Sequence, residues 1–212
     1  MKLLPIMLLC GLGVVLAATA APNPTRTTNN KAAAVAASNL AARVELQLDM
    51  AYKALDQGKP AIAKGLFEKA LVLDPLNRRG RFGLSTALLQ SDKYQEALDI
   101  LEQMLKEMPK DYEIKNNTAW IYATARDVKI RNGRRAIQLA QEALMLNPND
   151  CHVESTLAEA YFISGRYDKA LRHAEQALQM GRLQNANANL IEQYQIQVER
   201  CRKSAESSSI LE

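Results

Sequence analysis

Histidine is scarce in this chain, with two in 212 residues, and cysteine nearly so, with three. His152 and His173 have no second cysteine or carboxylate at ligand spacing, which speaks against a zinc centre. A glycine-rich phosphate loop and a Gly-x-Ser-x-Gly elbow are both absent, and the many carboxylates fall on helix faces with no pocket for paired acid and base chemistry. No catalytic residue, metal or cofactor is therefore expected. An excess of one charge is missing too. The 27 Lys+Arg and 23 Asp+Glu give +4 and are interleaved along the chain, so nucleic acid is not an expected partner.

Long hydrophobic runs are confined to the start. Lys2 precedes an almost wholly apolar stretch from Leu3 to Ala18, and Ala18-Thr19-Ala20 has the small residues that signal peptidase reads. Sixteen residues interrupted by Pro5, Gly11 and Gly13 fall short of the roughly 20 that span a bilayer. The reading is a cleaved signal peptide over residues 1–20 and a periplasmic or secreted protein, with an uncleaved membrane anchor as the alternative. Leu9 before Cys10 is not small, which speaks against lipidation there. Cleavage leaves Cys151 and Cys201, about 20 Å apart if the last helix runs parallel to its predecessor, so no disulfide is expected.

What is present is a repeat. Ala51, Ser85, Ala119 and Ala158 recur at 34, 34 and 39 residues; Ala63, Ala97, Ala136 and Ala170 at 34, 39 and 34; Pro75, Pro109 and Pro148 at 34 and 39. Within each unit apolar residues keep helical spacing on two segments. Leu46, Met50, Ala51 and Ala54 face Ala63, Leu66, Phe67, Ala70 and Leu71 in the first, across a Gly58-Lys59-Pro60 turn. Tyr-x-x-Ala occurs at Tyr94–Ala97 and Tyr167–Ala170.

On these residues the chain resembles the tetratricopeptide repeat family over residues 44–184. The resemblance implies an all-α, right-handed superhelical solenoid of four helix pairs whose groove binds another protein or a peptide. The expected organisation is a disordered tether and alanine-rich lead-in helix over 21–43, repeats at 44–77, 78–111, 112–150 and 151–184, a capping helix at 185–204 and a disordered tail at 205–212. The cap serves a monomer, or a weak homodimer if its apolar stripe is exposed.

The third repeat departs from the pattern. The interval from Ala119 to Ala136 is 17 residues where the other repeats have 12, so five extra residues lie between its helices. The segment with Trp120, Ala123-Thr124, Arg131-Asn132-Gly133 and Ala136 is similar to an extended repeat variant of bacterial exported proteins. Its loop carries Arg126, Lys129, Arg131, Arg134 and Arg135. Two readings stand: arginines that solvate a tolerated insertion and cap helix carbonyls, or a site for an acidic partner or membrane phosphate.

Helical spacing also projects a groove. The stripe not used by the small packing residues includes Leu48 and Tyr52, Arg79 and Phe82, Asn116 and Trp120, and Glu159, with Asn117 beside it. Aromatic faces and amides there suit an extended peptide, although each aromatic could instead pack within the solenoid. A carboxylate clamp is not expected, because only Asn117 fits its lysine, arginine and asparagine pattern. The function expected is a non-catalytic adaptor of the bacterial envelope, serving a pilus, secretion or envelope complex. The alternative is an anchored organiser of cell-wall or secretion enzymes.

Overall fold

Asn and Asp caps open the first helices of repeats two to four, and one turn recurs within repeats one, two and four. A computed structural model describes residues 24–209; the leader read at 1–20 and the start of the tether lie outside that range, as does the end of the tail. Among the described residues there are nine helices and no strands: α1 (Pro24–Asp56), α2 (Pro60–Leu73), α3 (Arg78–Gln90), α4 (Tyr94–Glu107), α5 (Tyr112–Thr124), α6 (Gly133–Leu146), α7 (Cys151–Ile163), α8 (Tyr167–Leu183) and α9 (Ala188–Ser209). The chain divides into two units, Met1–Ala41 and Ala42–Glu212.

In the first unit the described residues are helical from Pro24, and residues 33–41 are exposed. This corrects the expected disordered tether from residue 24 onward. Proline is preorganised for the first helical turn, and the alanine-rich run that follows has the highest helix propensity.

In the second unit Asn77, Asp111 and Asp150 cap α3, α5 and α7, each side chain accepting from backbone N–H groups of the first turn. α1, α3 and α7 end in a shared turn. Gly58, Asp92 and Gly165 have φ of 66°, 59° and 70°, and the next amide returns to a helix carbonyl: Lys59 to Ala54, Lys93 to Leu88 and Arg166 to Tyr161, at 2.9 to 3.0 Å. The third repeat replaces this turn with residues 125–132. Arg131 Nε donates to the Ala125 carbonyl at 2.6 Å and the Asn132 amide to Tyr122 O at 2.9 Å, which fold the insertion back on α5.

Both small-residue columns are at most 1% exposed. They let successive helices approach while larger side chains fill the gaps. Phe67, fully buried, occupies the space beside Gly83, where an added Cβ would collide with its ring. Leu46 and Met50 do not join this core; they are 58% and 48% exposed, while Val44, Leu48, Ala51, Ala54 and Leu55 are buried. The buried stripe of α1 is thus shifted from the one expected, because Val44, Leu48, Ala51 and Leu55 pack with Ala63, Phe67 and Ala70 of α2.

α9 runs five residues further than the expected cap. Ser207, Ser208 and Ser209 hydroxyls donate to the carbonyls of Lys203, Ala205 and Glu206, and Ala205 is buried, so the tail read from residue 205 is helical to Ser209.

Candidate functional site: the groove of the first helices

The projected groove stripe divides into an open part and a closed part. In repeats one to three, Tyr52, Phe82, Asn116, Asn117 and Trp120 are half-buried. Tyr52 stands edge-on to Phe67, with ring centroids 5.1 Å apart, and its hydroxyl donates to Arg79 O at 2.9 Å. Burial raises its pKa, partly opposed by Arg79 and Arg78. The Arg79 guanidinium lies 5.4 Å from the Tyr52 ring and pairs with Glu45 and Asp49; that of Arg78 lies 5.5 Å from Phe82 and pairs with Asp111 and Glu113. Two arginines therefore join three first helices along one edge and cover two of the aromatic faces. The Oδ1 of Asn116 is buried with no hydrogen-bond partner.

Two predicted groove residues are not available. Leu48 has no exposed surface and belongs to the core with Phe67. Glu159 is 8% exposed because α9 lies against α7. Gln197 Nε2 donates to Glu159 at 2.7 Å and to Ser155 O at 3.0 Å, while its Oε1 accepts from the Ser155 hydroxyl at 3.0 Å. Arg200 pairs with Glu159 and sits 4.4 Å from the Phe162 ring centroid, and the Tyr194 hydroxyl lies 3.2 Å from His152 Nδ1. Of the fourth repeat's projected stripe, Ser155 and Glu159 are thus buried from within the chain, Phe162 is half-buried against Arg200, and His152 is contacted by Tyr194 but stays exposed. Tyr194, Gln197 and Arg200 fall at three-residue spacing, the one sequence signal that could have disclosed this cover.

The five basic loop residues are all exposed. Arg126 pairs with Asp92 at 3.0 Å, Arg131 holds the Ala125 carbonyl, and Arg135 donates to Gln138 at 2.9 Å. His173 Nδ1 lies 2.7 Å from Glu154, and among the described residues no three His, Cys, Asp or Glu gather as metal ligands.

Comparison with known proteins agrees with this geometry. A family model for the tetratricopeptide repeat matches residues 48–113. The human inactive peptidyl-prolyl cis-trans isomerase FKBP6 is 31% identical over 87 residues, which are 41% of this chain and 27% of that protein. Superkiller protein 3 of Schizosaccharomyces pombe is 28% identical over 108 residues, 50% of this chain and 8% of that one, so the chain spans only a small part of either relative. Among solved structures, the thermophilic TPR protein TTC0263 of Thermus thermophilus superposes with a TM-score of 0.59 at 18% identity, covering 77% of this chain and 92% of that one. MamA from Desulfovibrio magneticus RS-1 gives 0.54 at 14% identity, covering 78% and 96%.

Residues 48–113 match the tetratricopeptide repeat family, and the chain shares the fold of solved tetratricopeptide repeat proteins.

Its helix pairs form the right-handed superhelical solenoid of that family, a fold whose general role is to bind proteins or peptides. Both described cysteines are free and buried, and burial pushes the Cys201 thiol up to about 11, away from nucleophilic or redox chemistry.

Proposed function

We propose that this protein is a non-catalytic adaptor that holds an extended segment of another protein across the groove of repeats one to three. The observation that carries the reading is the half-buried row of Tyr52, Phe82, Asn116, Asn117 and Trp120, left open where Ser155 and Glu159 of the fourth repeat's equivalent stripe are buried under α9. Aromatic faces supply contact area at low entropic cost, and the amides supply hydrogen bonds to a peptide backbone. The leader supports export, hence a role in the bacterial envelope, where assembly of a pilus, secretion or envelope complex is the process proposed by analogy with the fold.

The test is a pull-down from envelope extract with the tagged domain, beside a Tyr52→Ala/Phe82→Ala/Trp120→Ala variant of unchanged helicity. A partner lost by the variant supports the groove. Equal capture by both removes it. Mass spectrometry of the cellular protein tests export separately: an N-terminus at Ala21 fits a cleaved leader, and an intact Met1 fits the anchored alternative.

A further inference from the structure

The third residues of the four repeats, Leu46, Gly80, Ile114 and Val153, form a column at intervals of 34, 34 and 39. Gly80, Ile114 and Val153 are buried, because α2 packs on α3, α4 on α5 and α6 on α7. Leu46 is 58% exposed. Met50 repeats the contrast: it is 48% exposed, whereas Thr118 and Leu157, its equivalents in repeats three and four, are at most 1% exposed. No second helix precedes α1 among the described residues, so the inter-repeat interface continues there as an open face.

That face has shape and polarity. A cleft of about 390 Å³ is lined by Arg43, Leu46, Gln47, Lys69, Val72 and Leu73, with Val72 81% exposed. Gln47 heads a second column, Gln47, Arg81, Lys115 and Glu154. The last three pair with Glu107, Glu142 and His173 on the second helices of their own repeats, but Gln47 Oε1 is buried with no hydrogen-bond partner. An unmet buried acceptor carries a desolvation cost that an incoming donor would relieve.

We propose that this end face seats an amphipathic helix of a partner protein, its apolar stripe on Leu46, Met50 and Val72 and its flanking carboxylates on Arg43 and Lys69. The helical form of the occupant follows from continuity with the interfaces inside the stack, and its acidic flank from the two exposed cations of the face, Arg43 and Lys69. Of the second helices that fill the corresponding place, α4 carries four carboxylates and one lysine, while α2 and α6 each carry two bases and one carboxylate. A second copy stacking head to tail is disfavoured by charge. The exposed groove at the far end, around Ile196, is rimmed by Arg200, Arg202 and Lys203, whose carboxylate partners Glu159, Glu175 and Glu199 are already engaged, so it offers Arg43 and Lys69 no free carboxylate.

The proposal is independent of the groove reading, and its test keeps the two apart. A labelled, end-capped peptide of residues 94–107 serves as probe, titrated by fluorescence anisotropy onto the full chain. Saturable binding is expected, weakened by about tenfold or more in Leu46→Asp and in Arg43→Glu/Lys69→Glu, and unchanged in Trp120→Ala. The charge-reversed pair lies on the surface and covers the case in which Leu46→Asp unfolds, as circular dichroism would report. No binding by the wild type, or equal binding by the variants, overturns the proposal. Loss in Leu46→Asp alone overturns the acidic flank, and a wild-type dimer in sedimentation that Leu46→Asp abolishes makes a second copy the occupant instead.

Discussion

The first and fourth repeats are built on one pattern but finished differently. In the fourth, α9 supplies Tyr194, Gln197 and Arg200 to the groove face of α7, and Val198 and Cys201 to the core beside α8. Even Ser155 and Glu159 are buried and bonded there. In the first, Leu46, Met50, Ile62, Val72 and Leu76 remain exposed, and a buried amide oxygen has no partner. The difference teaches that in a solenoid the environment of a repeat position is set by its neighbour, not by the repeat itself. Leu46 and Val153 share a place in the pattern and have opposite surroundings.

Removing the closed end should have the largest effect. Ending the chain at Asn187 strips the partners of α7 and α8 and forgoes burial of Tyr194, Val198 and Cys201, each worth about 1.5–3 kcal/mol, so urea unfolding should register a loss of about 5 kcal/mol. A chain so truncated that keeps its midpoint would show that the cap is ornamental. A smaller contrast lies within α1. Leu48→Ala should cost about 3 kcal/mol as a fully buried leucine, whereas Leu46→Ala, two residues away, should stay within about 0.5 kcal/mol. Comparable losses at both positions would mean that the first repeat is covered in solution.

Next in size is a pair of glycines. Gly83→Ala drives a methyl into the Phe67 ring between the first and second repeats and should cost about 2 kcal/mol in thermal melts. At Gly65, in α2, an added Cβ meets nothing within 4 Å, and Gly65→Ala should stabilise by about 0.5–1 kcal/mol. If both raise the melting temperature, Phe67 can move and the seam between those repeats is looser than its packing implies.

How much of this was legible in the residues depended on whether the signal was periodic. The alanine columns, the Gly58 and Gly165 turns and the five-residue insertion are periodic or break a period, and each lies where the spacing put it. The groove was legible only in part. Helical spacing put Leu48, Tyr52, Phe82 and Trp120 on one stripe, but it could not tell the fully buried Leu48 from the half-buried aromatics, because what buries Leu48 is a cluster with Phe67 and other side chains beyond its own helix. Glu159 failed for the same reason at longer range, since its partners lie on α9. The orphan oxygens of Gln47 and Asn116 left no trace in the sequence, as an unmet hydrogen bond is a property of surroundings.

The smallest effect compares two members of one polar column. Lys115 is 10% exposed at its side chain and pairs with Glu142, whose carboxyl it holds below the ordinary carboxylate range through a hydrogen bond. Replacing it by leucine should cost about 1 kcal/mol, below the roughly 1.5–3 kcal/mol of a bond to a charged group, because Glu142 is partly exposed and can regain water. Gln47 occupies the same place in the first repeat without that partner. Gln47→Leu removes a buried acceptor that nothing satisfies, so it should be neutral or stabilising by up to about 1 kcal/mol in urea unfolding. The sign of that one difference decides whether the first repeat's open face is a cost the free protein bears. A destabilised Gln47→Leu would mean that the amide is already satisfied, by water or by the chain itself, and that the two ends are more alike than their packing suggests.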